Sequence, residues 1–383
     1  MATVDVMIPA YNAAGTVRET LESVQAQTFT DWRLVIVNDG STDATGDILA
    51  EMAAKDPRIE VYTHANKGIV DSLNVGLSLC TADIIARLDA DDLCYPHRLQ
   101  FQLDYLKHNP DVIGVGAGVR HINDRNEPTG SFAFIGPPDD ADPWFVPSRE
   151  PYLIHPFFTV RRSAMEAVKG YRHVHYAEDT DLYWRLRSHG RLVNPREVLG
   201  DYRFHADSVS SQGIVNGRIM AINSQLTGIS EQRRLRGVPD LVFGKDSLAE
   251  YKRVKTLRAM IEIAEVQLDE TERVYYRNAV PAKLLELVAY RPYEIERSDC
   301  EYIGDLARSG FPNFSALNRG LMQRRITGAA ARIAAAGRMA DARRMVPPRM
   351  YASFAPRYLL RATLPDSLRK HVRRADTKSS PFK

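Results

Sequence analysis

Residues Ile84-Ile85-Ala86-Arg87-Leu88-Asp89-Ala90-Asp91-Asp92 form a short apolar run that delivers two carboxylates, Asp89 and Asp91, one residue apart at its polar end. In an extended chain residues i and i+2 point the same way, so both can face one cleft with Ala90 turned away. Hard oxygen ligands beside a diphosphate suit Mg2+ or Mn2+, which spans carboxylate and phosphate and neutralises charge on a leaving group. The competing reading is a solvated acidic turn, because Asp clusters also initiate turns and cap helices. Asp92 is read as a capping or supporting residue rather than a ligand.

The elements that must position this pair follow from periodicity. Strand-like runs at 3–8, 33–38, 59–63 and 83–88 alternate with helical patterns at about 16–27, 43–54 and 68–79. Such alternation predicts a mostly parallel sheet covered on both faces, with ligands bound beyond the carboxyl ends of the strands. The polar clusters lie at those ends: Pro9-Ala10-Tyr11-Asn12, then Asn38-Asp39-Gly40-Ser41-Thr42-Asp43, then Asn66-Lys67-Gly68, then the Asp pair. An aromatic ring, carboxylates and glycine-permitted backbone approach thus converge on a nucleotide pocket. Asp39 can accept the imide N–H of a uracil, or serve an Asx turn or N-cap. Further on, a helix is expected near 97–108, one strand near 112–119, a Pro- and Asp-rich loop over 136–151, helices near 163–169 and 179–189, and a strand-like stretch to Phe204. From about 216 the pattern is helical and strand-poor.

With 383 residues, 44% hydrophobic and 26% charged, the chain is an ordinary globular one, large enough for a catalytic domain plus an extension. The reading is three parts: 1–215 (a nucleotide-binding half to about 95 and a second half from about 96), a helical extension 216–318, and a basic helical tail 319–383. No leader-like segment opens the sequence and no apolar stretch approaches the roughly 20 residues of a membrane span. Three scattered cysteines, Cys80, Cys94 and Cys300, argue against disulfides and a zinc cluster, so a cytoplasmic enzyme is expected. The net charge of +3 hides an asymmetry: from Arg319 onward sixteen Lys and Arg face three Asp, leaving −10 for the rest. A basic tail on an acidic body implies an anionic partner, and the inner face of the cytoplasmic membrane is the expected one, with packing on the protein or a homo-oligomer contact as the alternative. No recognition motif supports nucleic acid.

The motifs together resemble an inverting glycosyltransferase of family 2 with the GT-A fold, of the bacterial envelope polysaccharide type. Pro9-Ala10-Tyr11-Asn12, Val37 to Asp43, Leu73-Asn74-Val75-Gly76-Leu77, Leu88 to Asp92 and Glu178-Asp179-Thr180-Asp181-Leu182 carry the likeness, in the family's order, over residues 3–210. The resemblance implies that Asp39 and Tyr11 hold the nucleotide, with Pro9, Asn12, Asn66, Lys67 and Gly68 around it. It implies that Asp91 ligates the metal and that Asp89 serves the ribose or the metal shell. Asp179 would be the general base of the Glu178–Asp179 dyad, Asp181 a salt-bridge partner of Arg185, and His205 the histidine that completes the metal shell. The implied partners are a nucleotide diphosphate sugar, UDP-linked, and a glycan or lipid-linked glycan acceptor.

Two other patterns are set aside. His173-Val174-His175 has ligand-like spacing without a third ligand and sits just before the dyad, where lining the acceptor site is expected instead, and Gly114-x-Gly-x-Gly118 comes fifth rather than first among the strands and lacks the dinucleotide spacing. The rival functions are a sugar nucleotidyltransferase, which needs a Gly-rich, Arg-bearing loop after the first strand, and an inactive scaffold.

Overall fold

The computed structural model describes residues 2–204, 213–311 and 314–363. Strand β1 (Val4–Ala10) is buried at every position, as a strand covered on both faces must be. It pairs in parallel with β2 (Trp32–Asn38) and β4 (Ile84–Arg87), and β2 pairs with β3 (Ile59–Thr63). Helices α1 (Val17–Gln25), α2 (Thr45–Lys55) and α3 (Ile69–Leu79) supply the crossovers. Chain direction across the sheet reverses between β1 and β4, the kind of switch point where a crevice opens.

After β5 (Leu93–Cys94) and α4 (Arg98–His108), the expected strand over 112–119 is two strands. β6 (Val112–Val115) lies in the main sheet, whereas β7 (Gly118–Ile122) belongs to a second one. The chain crosses between them at Gly116-Ala117, where a Cβ on Gly116 would lie 2.2 Å from the Asn194 side chain, so periodicity alone ran the two together. β8 (Pro128–Ala133), β9 (Thr159–Arg161), α5 (Arg162–Ala167), α6 (Glu178–Leu186), β10 (Arg191–Val193) and β11 (Val198–Arg203) follow. The main sheet runs β10-β6-β9-β4-β1-β2-β3, with β9 antiparallel to both neighbours; the second runs β5-β11-β7-β8.

The remainder is helical: α7 (Ile214–Arg236), α8 (Ser247–Arg253), α9 (Leu257–Ala264), α10 (Glu270–Tyr290), α11 (Arg297–Ser309), α12 (Ala316–Ala335), α13 (Met339–Met345) and α14 (Tyr351–Thr363). Helix α10 starts at a capping box in which Asp269 accepts the Glu272 N–H and Glu272 reaches back. Helix α7 is buried almost all round by polar as well as apolar residues, and the polar ones stitch it to the α/β body. Gln225 accepts the Ser148 N–H at 3.0 Å, Gln232 donates to the Pro143 carbonyl at 2.6 Å, and Asn223 donates to the His175 carbonyl at 2.8 Å.

One apolar cluster runs from Ile219 on α7 to Met350, so the division expected at 318/319 falls inside α12. Charge composition changes there while the apolar pattern continues. Several tail arginines are consumed by acids of this helical core: Arg325 by Glu286 at 2.7 Å, Arg332 by Glu294 at 3.0 Å and Arg344 by Glu301 at 3.2 Å. Among the described residues no helix is long and apolar enough to cross a membrane.

Candidate active site

Parallel register puts Ala10, Asn38 and Thr63 side by side at the carboxyl edge of the sheet. Asp39 begins just past it, donating its N–H to the Ala10 carbonyl at 2.9 Å. Its carboxylate accepts the Lys67 N–H at 2.8 Å and the Gly68 N–H at 2.9 Å, with the His64 ring 3.4 Å away. Loop 64–68 therefore lies directly on Asp39-Gly40. Gly40 has φ 66°, and a Cβ there would stand 2.6 Å from the Asn66 nitrogen, so only glycine permits the approach. Helix α2 has another start signal, since Asp43 accepts the Thr45 N–H at 3.0 Å, and Asp39 is not spent on capping. Asn12 ties the first loop to the second by accepting the Thr42 N–H at 2.8 Å. Pro9 is buried in β1, while Tyr11 is 52% exposed at the rim and packs in no core. Asn66 and Lys67 are exposed, and a groove of about 640 Å³ opens from Lys67 along α3 toward Lys245.

Asp89, Asp91 and Asp92 bring carboxylate oxygens within 4.8 Å of one another. The Arg87 guanidinium meets Asp89 at 2.5 Å. Asp92 is buried, not a helix cap: one oxygen accepts the Arg203 N–H at 2.8 Å, and the other is buried with no hydrogen-bond partner. Burial, with Asp91 and Asp89 alongside, pushes its carboxyl well above the usual range. Three converging oxygen donors, one of them orphaned, fit a hard divalent cation. His205 lies outside the described residues; Arg203, two positions earlier, donates from its side chain to the Asp91 carbonyl at 2.7 Å.

Helix α6 begins at Glu178 and Asp179. Burial, then the neighbouring Asp179, pushes Glu178 up to about 7. Burial also pushes Asp179 up to about 6, opposed by the Thr180 N–H that its Oδ1 accepts at 2.7 Å and assisted by Glu150. Arg87 draws both back down, so one buried guanidinium serves the Asp cluster and the dyad together. Asp181 is fully buried between Arg185, at 2.8 Å, and Arg172; it belongs to packing.

The family described as glycosyl transferase family 2 matches residues 5–169. The glycosyltransferase EpsE of Bacillus subtilis (strain 168) is 34% identical over 214 residues, 54% of this chain and 73% of its own. The chain belongs to glycosyltransferase family 2. The amylovoran biosynthesis glycosyltransferase AmsE of Erwinia amylovora is 28% identical over 211 residues, 54% of this chain and 78% of that one. A mannosyltransferase from Pyrobaculum calidifontis, solved with GDP-Man and Mn2+, shares the fold at a TM-score of 0.50 and 17% identity, covering 96% of this chain and 87% of that one.

In this family 2 glycosyltransferase the two patterns set aside above are structural. His173 faces Asp71 at 3.3 Å and His175 bonds the Lys245 carbonyl at 3.0 Å. Gly114, Gly116 and Gly118 make room for Phe158, Asn194 and Phe134. Sequence reasoning missed Arg87 and Arg203, and read Asp92 only as a capping or supporting residue. Arg87 had a signal, since it shares strand parity with Asp89 and is therefore presented on the same face. Arg203 had none, because only the pairing of β11 with β5 brings it to the Asp cluster.

Proposed function

We propose that this enzyme is a metal-dependent inverting transferase that moves a hexose or hexosamine from a UDP-sugar to a hydroxyl of a polysaccharide or lipid-linked glycan. The observation that carries the reading is Arg87, which contacts Asp89 on one side and acts on Glu178 and Asp179 on the other, so that donor diphosphate and base share one cleft. Asp39 and the backbone it organises, with Tyr11 above, form the nucleotide end, and Asp39 retains lone pairs for an imide N–H. Pro9, Asn12, Asn66, Lys67 and Gly68 shape that end. The names of EpsE and AmsE fit an enzyme of polysaccharide assembly.

Asp91, Asp89 and Asp92, with His205 two positions after Arg203 in sequence, would hold Mn2+ or Mg2+. When bound, the ion supplies charge neutralisation at the β-phosphate of the donor. Asp179 takes the proton of the acceptor hydroxyl as its oxygen bonds the anomeric carbon and the bond to the diphosphate breaks, releasing the nucleoside diphosphate. A base poised near 6 is ionised at neutral pH yet retains proton affinity. Arg87 keeps three carboxylates compatible in one crevice.

Sugar nucleotidyl transfer is disfavoured because Pro9-Ala10-Tyr11-Asn12 replaces the glycine- and arginine-bearing loop it needs. A scaffold role is disfavoured because every carboxylate is in place. Screening UDP- and GDP-sugars for divalent-metal-dependent hydrolysis tests the reading. Turnover of a UDP-sugar supports it; preference for a GDP-sugar overturns the donor assignment, and inertness to all donors overturns catalysis.

A further inference from the structure

Helix α14 docks on the helical core through Phe354 and Tyr358, which stack at 5.9 Å between ring centres. That contact fixes which side faces outward. Every exposed position of α14 is uncharged, and the outward side carries Tyr351 at 44%, Leu359 at 59% and Leu360 at 54% exposure, with Ala355 and Pro356 between them. A surface helix ordinarily turns charged residues to water, so this face is built to be covered.

The surrounding charge says by what. Arg349, just before α14, and Arg357, on it, have no carboxylate partner among the described residues and reach only backbone carbonyls. The sequence after α14, residues 364–383, carries six Lys and Arg against two Asp. A second copy of the chain would bring like patches together in an isologous contact, setting positive against positive. An anionic bilayer instead takes the apolar face into its interface and the basic residues at its headgroups.

We propose that the outward face of α14, with Arg349 just before the helix in sequence and Arg357 on it, is a docking surface for an anionic lipid membrane. The arginines of α12 that are locked to Glu286 and Glu294 take no part, which narrows the basic tail read from sequence to its second half, from α14 onward. The surface is independent of the transfer chemistry and is tested without it.

Flotation of the full chain with vesicles of phosphatidylglycerol and phosphatidylcholine, against phosphatidylcholine alone, reads the binding directly. The double variant Leu359→Asp, Leu360→Asp alters two exposed positions, and its fold is checked by circular dichroism. The wild type is expected to float with the anionic vesicles and to be released by high salt, and the variant to lose about tenfold or more of its partition. Equal flotation of both forms overturns the proposal, as does a wild type that stays in the soluble fraction. A wild type that sediments as a dimer, ignores vesicles and becomes monomeric in the variant assigns the face to self-association and also overturns it.

Discussion

Arg203 donates its peptide N–H to the carboxylate of Asp92 at 2.8 Å, across 111 residues of sequence. This bond joins β11 of the second sheet to the Asp-rich turn proposed to hold the metal. It also explains why Asp92 is a buried member of the cluster rather than a helix cap. The remaining Asp92 oxygen is left without a partner and close to those of Asp89 and Asp91, which makes Asp92 more than the support that its sequence position suggested.

Asp91→Ala is expected to abolish the metal dependence of UDP binding. Asp92→Asn should weaken metal affinity by about tenfold, within the range for groups that orient ligands. Calorimetry with Mn2+ and with chelator checks both. Metal-independent UDP binding that neither substitution changes would remove the cluster from the account.

Asp39→Asn should disturb two things at once. An amide has one acceptor oxygen for the two N–H donors of Lys67 and Gly68, so one donor is left unsatisfied at a cost of about 1–3 kcal/mol. UDP affinity should fall with the loss of loop order and of the imide partner. Thermal unfolding and calorimetry together read this, and unchanged stability would mean loop 64–68 does not depend on Asp39.

The raised carboxyls of Glu178 and Asp179 give signs for pH. Folded, they hold protons that the unfolded chain has already lost, so their contribution to stability is full below about pH 4 and fades as pH rises through their folded values of about 6 and 7. Glu178→Gln should therefore raise the melting temperature at pH 8, by a stabilisation of about 1 kcal/mol, and do little at pH 4. Activity runs the other way, since the base works ionised: it should fall as pH drops through about 6. A flat acid limb down to pH 4.5 contradicts the assignment.

Arg87→Met removes the cation that Asp89, Glu178 and Asp179 share. Stranding those carboxylates should cost about 3 kcal/mol of stability, and should shift the acid limb of the activity profile upward. A chemical denaturation curve identical to wild type would show that the carboxylates have another counter-ion.

Much of this was legible because local chemistry dictated it. The four parallel strands are contiguous apolar runs, and Tyr11, Asp39, Asp89 and Asp91 follow three of them at their carboxyl ends, as the sequence order implies. Asp181 with Arg185 followed from helical spacing. Illegible were the features made by distant pairing: the sheet change at Gly116, the Arg203 contact with Asp92, and the ion pairs that tie Arg325 and Arg332 to Glu286 and Glu294. Charge counting saw a free basic tail because it has no access to which acids lie opposite; only the packing of α12 against α10 and the segment between α10 and α11 decides that.

The hydrolysis rate of a UDP-sugar with Mn2+, compared between wild type and Asp179→Asn at saturating donor, tests the central claim most directly. The amide keeps the side chain's shape and cannot accept a proton, so the rate should fall by about 10²–10⁴-fold while UDP affinity stays within about twofold. An Asp179→Asn enzyme that turns over near the wild-type rate would show that Asp179 is not the base.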